Sequence, residues 1–283
     1  MTNDINDVSV IYITYVPYGT LPLNEFIQSY KKYPASHQHS LVIVFKGMSD
    51  KSEVTEFTEI LEKENILYHA LNYFEQGLDV STYFWAAKSL SNEYIFFLNS
   101  RSVIRNVNWL AHFINNMNPA VGMISATGSF QSYYSSVFQK HKAGWESQKG
   151  FVYNFRKYKL FLKAFFYWRF LFKSFPNPHL RTNGFIVRRG EFLKMYPGPL
   201  ITKFSAYLFE NGKNSLSNKY IKDGKETLVV DKHGKTFNQN EWKGSNTFWI
   251  NEQENLLIAD NQTAHYEAAS PEERKAMTKL AWG

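Results

Sequence analysis

Two hydrophobic patterns alternate along the first half of this chain. Nearly unbroken apolar runs at residues 8–15 (Val-Ser-Val-Ile-Tyr-Ile-Thr-Tyr) and 41–45 (Leu-Val-Ile-Val-Phe) read as strands. Val16-Pro17-Tyr18-Gly19 ends the first, since Pro lacks a donor and Gly permits positive φ. Between the runs, apolar residues recur every three or four positions. Leu23, Phe26, Ile27 and Tyr30 do so in 21–32, and Val54, Phe57, Ile60 and Leu61 in 52–64, each set forming one helical face. A short strand at 66–71 and a helix at 80–90 follow, with Asp79 placed to cap the helix. Residues 94–98 (Tyr-Ile-Phe-Phe-Leu) have no polar break, the pattern of a strand buried on both faces. This alternation predicts an α/β fold with a mostly parallel, right-handed sheet flanked by helices.

The second half is less regular. It predicts a helix at 109–116, a strand at 121–126, a short strand at 184–188, a helix from 191, a helical stretch at 205–222 and a strand at 227–231. Ser270-Pro271-Glu272-Glu273 opens a last helix. Residues 130–150 show little periodicity, and the polar, Trp- and Asn-rich stretch 236–255 reads as loop.

The run at 94–98 stops abruptly at Asn99-Ser100-Arg101-Ser102. Ligands of open α/β sheets sit at the carboxyl ends of the strands. A buried strand is therefore expected to deliver these polar groups to a cleft; a plain surface turn is the alternative.

With 283 residues the chain can bury a full core. It contains no Cys, which excludes disulfides and thiolate metal sites and fits a reducing cytosol. Residues 1–7 lack the order of a signal peptide, and no stretch of about 18 uncharged apolar residues exists, so a cytoplasmic protein without a transmembrane helix is expected. The net charge of +7 is local: residues 151–175 hold six basic residues and no acidic one, while elsewhere 26 basic residues face 25 acidic. A nucleic-acid-binding surface is not expected. The eight histidines show no zinc-protease spacing, and P-loop, G-x-S-x-G and G-x-G-x-x-G patterns are absent, against kinases, α/β-hydrolases and dinucleotide enzymes.

From residue 8 to about 103, the order of elements resembles the donor half of GT-A glycosyltransferases of the family-2-like group. Residues 8–19 are similar to that group's opening strand and nucleotide loop, Gly77-Leu78-Asp79 and Ala86-Ala87 to its helix start under the base, and 94–102 to its strand ending in Asp-x-Asp. Residues 181–189 (Arg-Thr-Asn-Gly-Phe-Ile-Val-Arg-Arg) resemble the segment closing over the acceptor. Glu210-Asn211-Gly212 falls where the group carries its acidic pair. The resemblance implies a GT-A-like fold, with a nucleotide-sugar-binding half at 1–130 and an acceptor-side half at 131–283 in one continuous domain. It also implies sugar transfer from a nucleotide-sugar to a saccharide or lipid-linked acceptor, in bacterial surface-polysaccharide assembly.

The chain departs from that group at the metal motif: Asn99-Ser100-Arg101 stands in place of Asp-x-Asp. Carboxylates suit hard divalent cations, and Arg cannot ligate one. Two readings stand. Arg101 replaces the cation, meeting the diphosphate with a permanent charge and parallel donors, with Asn99 adding a neutral donor. Otherwise the site is degenerate, and a sugar or nucleotide is bound without turnover. No metal or other cofactor is expected.

Glu210 follows the apolar run 207–209 and is the expected general base, a helix-face ion pair being the alternative. Tyr15 and Pro17 are expected near the base, Lys46 near phosphate, and Asp79 on a ribose or base, alongside Asn99, Arg181 and Asn183. His179, Lys213 and Asn214, with Asp260 and His265 of a second polar cluster, are assigned to the acceptor or secondary site; an Asx turn is the alternative for Asp260. Finally, Phe161, Ala164, Phe165, Trp168 and Phe172 share one helical face, with Lys159, Lys163, Arg169 and Lys173 mostly off it. This suits an anionic bilayer surface reached from the cytoplasmic side; a packed insertion helix is the alternative.

Overall fold

Val8–Tyr15 (β1), Ser40–Lys46 (β2), His69–Tyr73 (β3) and Tyr94–Leu98 (β4) lie side by side in a computed structural model of the chain, which describes residues 7–75, 77–136, 158–159 and 162–283. β1 pairs in parallel with β2 and β4, and β2 with β3. Helices Leu21–Lys32 (α1), Thr55–Lys63 (α2) and Asp79–Lys88 (α3) connect them. Alternate side chains enter two core clusters. Ile11, Val42, Val44, Ile95 and Phe97 pack with Tyr83 and Phe84 of α3. Val10, Tyr12, Ile43, Phe45 and Phe96 pack with Phe26 of α1 and Phe57 of α2. Both faces are covered, which is why 94–98 carries no polar residue: each large apolar side chain buried there contributes about 1.5–3 kcal/mol.

The rest of the chain adds Val103–Ile104 (β5), Trp109–Ile114 (α4), Val121–Ser125 (β6), Gly128–Ser129 (β7), His179–Leu180 (β8), Phe185–Arg188 (β9), Arg189–Lys194 (α5), Lys203–Asn211 (α6), Leu216–Lys222 (α7), Glu226–Val230 (β10) and Thr236–Phe237 (β11). Ile258–Ala259 (β12), Asn261–Ala268 (α8) and Pro271–Trp282 (α9) complete it. The main sheet has the order β11-β10-β6-β9-β4-β1-β2-β3. β9 is antiparallel to β4 and β6, and β11 to β10; the remaining strands run the same way. The sheet is thus mostly parallel and flanked by helices, as the hydrophobic pattern predicts. Strand direction leaves no trace in that pattern, so the antiparallel β9 is new.

Gly184 makes this insertion possible. Its φ is +61°, and a Cβ there would come within 2.9 Å of Ile258. Its N–H donates to the Phe97 carbonyl and its own carbonyl accepts from Ala126 N–H, tying β9 between its neighbours.

Other differences are local. The stretch 205–222 is two helices, because Gly212 leaves α6 with extended backbone and Ser215 caps α7 anew. Asp79 is not a cap: Leu78 holds that position without a side-chain bond, and Asp79 is the first helical residue. Residues 236–255 are less loop-like than expected, holding β11 and the 3-10 turn Trp242–Ser245 with Trp242 fully buried. Among the described residues, no helix is long and apolar enough to cross a membrane.

Candidate active site

Because β1, β4 and β6 run the same way, their carboxyl ends share one edge of the sheet, and the segment entering β9 starts there. At this edge the polar tip of β4 is pinned by a buried network. Asn183 Oδ1 accepts from the Asn99 N–H at 3.1 Å and from the Ser102 hydroxyl, and Asn99 Oδ1 accepts from the Arg101 N–H at 2.9 Å. The β5–β12 pairing then carries Asp260 alongside. Asp260 is indeed the capping turn of α8, and it is also delivered to the cleft; the two readings of this cluster are both realised.

A cavity of about 680 Å³ opens at this edge. Three carboxylates line it: Asp79, Glu210 and Asp260. Asp79 pairs with the buried Lys46 Nζ at 2.9 Å. Asp260 is buried and holds Arg181 Nη2 at 2.8 Å, while the Arg181 guanidinium lies 4.3 Å from the Phe248 ring centroid. Glu210, on α6, accepts a hydrogen bond from the Thr182 hydroxyl. Desolvation pushes its carboxyl above the usual range, an effect reinforced by Asp79 and opposed by Thr182 and Arg181. The cavity thus holds a carboxyl group whose proton affinity is raised by burial and a guanidinium fixed at two points.

Its far wall is an amide–imidazole network. The Nδ1 of His179 lies 2.8 Å from the Asn177 carbonyl and must donate to it, leaving Nε2 to accept from Asn211 Nδ2 at 3.1 Å. Burial depresses the His179 pKa to about 4, and Arg181 adds to this, so the ring is neutral. Tyr133 and Tyr207 also line the cavity, their rings tilted against each other with centroids 4.8 Å apart.

Of the residues expected to form the site, Asp79, Asn99, His179, Arg181, Asn183, Glu210 and Asp260 meet in this cavity. Tyr15, Lys46 and Arg101 form an adjoining group. Tyr15 packs edge-on against Tyr18, Lys46 Nζ lies 5.9 Å from the Tyr15 ring, and the exposed Arg101 guanidinium lies 4.5 Å from the Tyr18 ring. Arg101 is not among the cavity's lining residues; the Asx turn at Asn99 carries it onto Tyr18, and Arg181 is the guanidinium in the cavity. Pro17, in the 3-10 turn beside Tyr18, is exposed. Lys213 and Asn214 are exposed between α6 and α7, where Asn214 accepts from Lys222, and His265 is exposed on α8; none of the three lines the cavity. The lining residues Thr182, Asn211, Phe248 and Trp249 were not singled out. Thr182 and Asn211 lie inside the motifs at 181–189 and 210–212 but were given no role, and the aromatic pair lies in the Trp-rich stretch read as loop.

The β4 tip offers an amide, a hydroxyl and a guanidinium, and the three cavity carboxylates are each engaged. Among the described residues, no group of three or more His, Asp or Glu side chains is arranged to hold a metal ion.

No family model matches the chain, and no curated protein does. Among solved structures, it is similar to a mannosyltransferase from Pyrobaculum calidifontis in complex with GDP-Man and Mn2+, with 17% identity and a TM-score of 0.35 over 42% of this chain and 34% of that one. It therefore spans about a third of that protein's length. It is also similar to mouse xyloside xylosyltransferase 1 (9% identity, TM-score 0.44, 80% of this chain and 86% of that one). A third is 4-diphosphocytidyl-2C-methyl-D-erythritol synthase from Anaerococcus prevotii (13% identity, TM-score 0.44, 80% and 87%).

Proposed function

We propose that this protein is a metal-independent, GT-A-like glycosyltransferase. It moves a sugar from a nucleotide-sugar to a hydroxyl of a saccharide acceptor, free or lipid-linked, in bacterial surface-polysaccharide assembly such as lipopolysaccharide or capsule. The observation that carries this reading is the pairing of Glu210 and Arg181 in one cavity at the carboxyl edge of the sheet. Glu210 takes the proton of the acceptor hydroxyl. The acceptor oxygen attacks the anomeric carbon as the bond to the diphosphate breaks, inverting its configuration. The departing nucleoside diphosphate keeps the electron pair, and its new charge falls to Arg181, held by Asp260 and Phe248. A fixed donor of this kind is worth roughly 3 kcal/mol in the transition state. The Tyr15–Tyr18–Arg101 group, joined to the cavity through Lys46 and Asp79, offers the nucleotide stacking faces and a second cation.

The missing carboxylate pair at the β4 tip favours one rival, a nucleotide- or carbohydrate-binding protein without turnover. A panel of nucleotide-sugars assayed for transfer and for donor hydrolysis separates them. Release of nucleoside diphosphate from one donor, lost in Glu210→Gln, is the expected result; saturable donor binding without release from any donor would establish the rival.

A further inference from the structure

We infer that the aromatic, basic face formed by residues 158–159 and 162–173 is a docking surface for an anionic phospholipid bilayer. The inner side of this element is fastened to the protein. Trp168 and Phe172 are buried against Tyr133, Phe204 and Leu208. Phe172 bridges to Gly212, the Leu171 carbonyl accepts from Lys213 N–H at 2.8 Å, and Lys173 Nζ donates to Asn218 Oδ1 at 2.8 Å. The outer side is left to solvent: Phe166, Tyr167 and Phe170 are 63%, 59% and 61% exposed, with Phe165 and Tyr158 also exposed.

A single straight helical face does not describe this segment. Ala164–Trp168 is a π-helical turn, which inserts an extra residue into the repeat and puts Phe165 outward while Trp168 and Phe172 stay inward. Phe161, Arg156 and Lys157 lie outside the described residues.

Large aromatic side chains grouped in water mark a surface that is covered in use. The charge around them selects the cover. Lys159, Lys163 and Arg169 are exposed among the aromatics, with the Arg169 guanidinium 4.6 Å from the Phe170 ring, and residues 151–175 contain no acidic side chain. Aromatic rings at the headgroup boundary with cations against acidic headgroups form a bilayer-binding chemistry. The same element abuts the cavity. Trp168 packs on Tyr133, and Tyr133 on Tyr207, and both tyrosines line the cavity wall. A membrane at this face would thus lie beside the cavity. The surface stands independently of the transferase reading, since it is measured without substrate.

The test is co-sedimentation of the full chain with vesicles of phosphatidylcholine alone or with about one third phosphatidylglycerol. Binding to the anionic vesicles, and its weakening at about 0.5 M salt, is expected. Two triple variants, Phe166→Ser/Tyr167→Ser/Phe170→Ser and Lys159→Gln/Lys163→Gln/Arg169→Gln, should each lower partitioning about tenfold or more with unchanged circular dichroism. Equal binding to both vesicle types, no binding, or partitioning untouched by either variant would overturn the proposal. So would self-association, or RNA binding without vesicle binding, that the aromatic variant abolishes.

Discussion

Asp260 holds Arg181 and closes the first turn of α8 with the same carboxylate. Its Oδ1 accepts from the N–H groups of Gln262 and Thr263, both at 3.0 Å, and its Oδ2 accepts from Arg181 Nη2 at 2.8 Å. The two tasks separate by substitution. Asp260→Asn keeps a good cap but loses the charge that fixes the guanidinium, whereas Asp260→Ala loses both. Asp260→Asn, which breaks the buried ion pair, is expected to cost roughly 1–3 kcal/mol of stability in urea unfolding, and Asp260→Ala about 1 kcal/mol more for the lost cap. Under the proposed function both should slow transfer as Arg181→Ala does, because each releases the guanidinium proposed to meet the leaving diphosphate.

Glu210 sits where burial raises its pKa, and this has two readable consequences. The acid limb of the rate profile should lie above the ordinary carboxyl value of 4.5, because the base works only when ionised. In stability the sign is reversed. The folded state holds the proton more tightly than the unfolded one, so the ionised carboxylate costs stability at neutral pH, and that cost disappears as pH falls below about 4.5. Glu210→Gln should therefore raise the Tm at pH 7, converge with the parent near pH 4, and lower kcat by about 10²–10⁴-fold.

His179 acts in the opposite direction. Its pKa falls from 6.5 to about 4 on burial. Between those values the unfolded chain takes up a proton that the folded chain refuses, so stability declines as pH drops from 6.5 toward 4. The slope from this residue is at most about 1.4 kcal/mol per pH unit. His179→Gln should flatten that part of the stability–pH curve, whatever its effect at neutral pH.

The hydrophobic pattern carried β1, β2 and β4 because these strands are buried on both faces, so that composition alone marks them; the edge strand β3, with His69 and Ala70 exposed, was expected at 66–71 and lies at His69–Tyr73. β1, α1 and β4 begin and end where the pattern places them. β9 was legible as a strand but not as an antiparallel one, since pairing direction is set by long-range contacts with β4 and β6. The lining of the candidate cavity was legible where a polar cluster follows an apolar run, as at Asn99, Asn183, Glu210 and Asp260. Arg101 lies outside that lining, because the Asn99 turn redirects the chain, and Phe248 and Trp249 were not expected in it, since aromatic residues in a loop look like core.

Asn183 illustrates a candidate ligand residue that is also a structural pin. Its buried Oδ1 takes the Asn99 N–H and the Ser102 hydroxyl. Asn183→Ala strands the Asn99 N–H, while the Ser102 hydroxyl keeps its bond to Asn99 Oδ1 at 3.2 Å, and a loss of about 1–3 kcal/mol in urea unfolding is expected. A change below about 0.5 kcal/mol, the range of ordinary surface substitutions, would mean that the β4 tip is held by something else.

The assignment of guanidinium chemistry to the leaving diphosphate is tested most directly by nucleotide-sugar turnover in excess EDTA, measured against the same assay with added manganese or magnesium. Equal rates in all three, with Arg181→Ala nearly inactive in each, are the expected result. Turnover that vanishes in chelator and returns with the metal would contradict it.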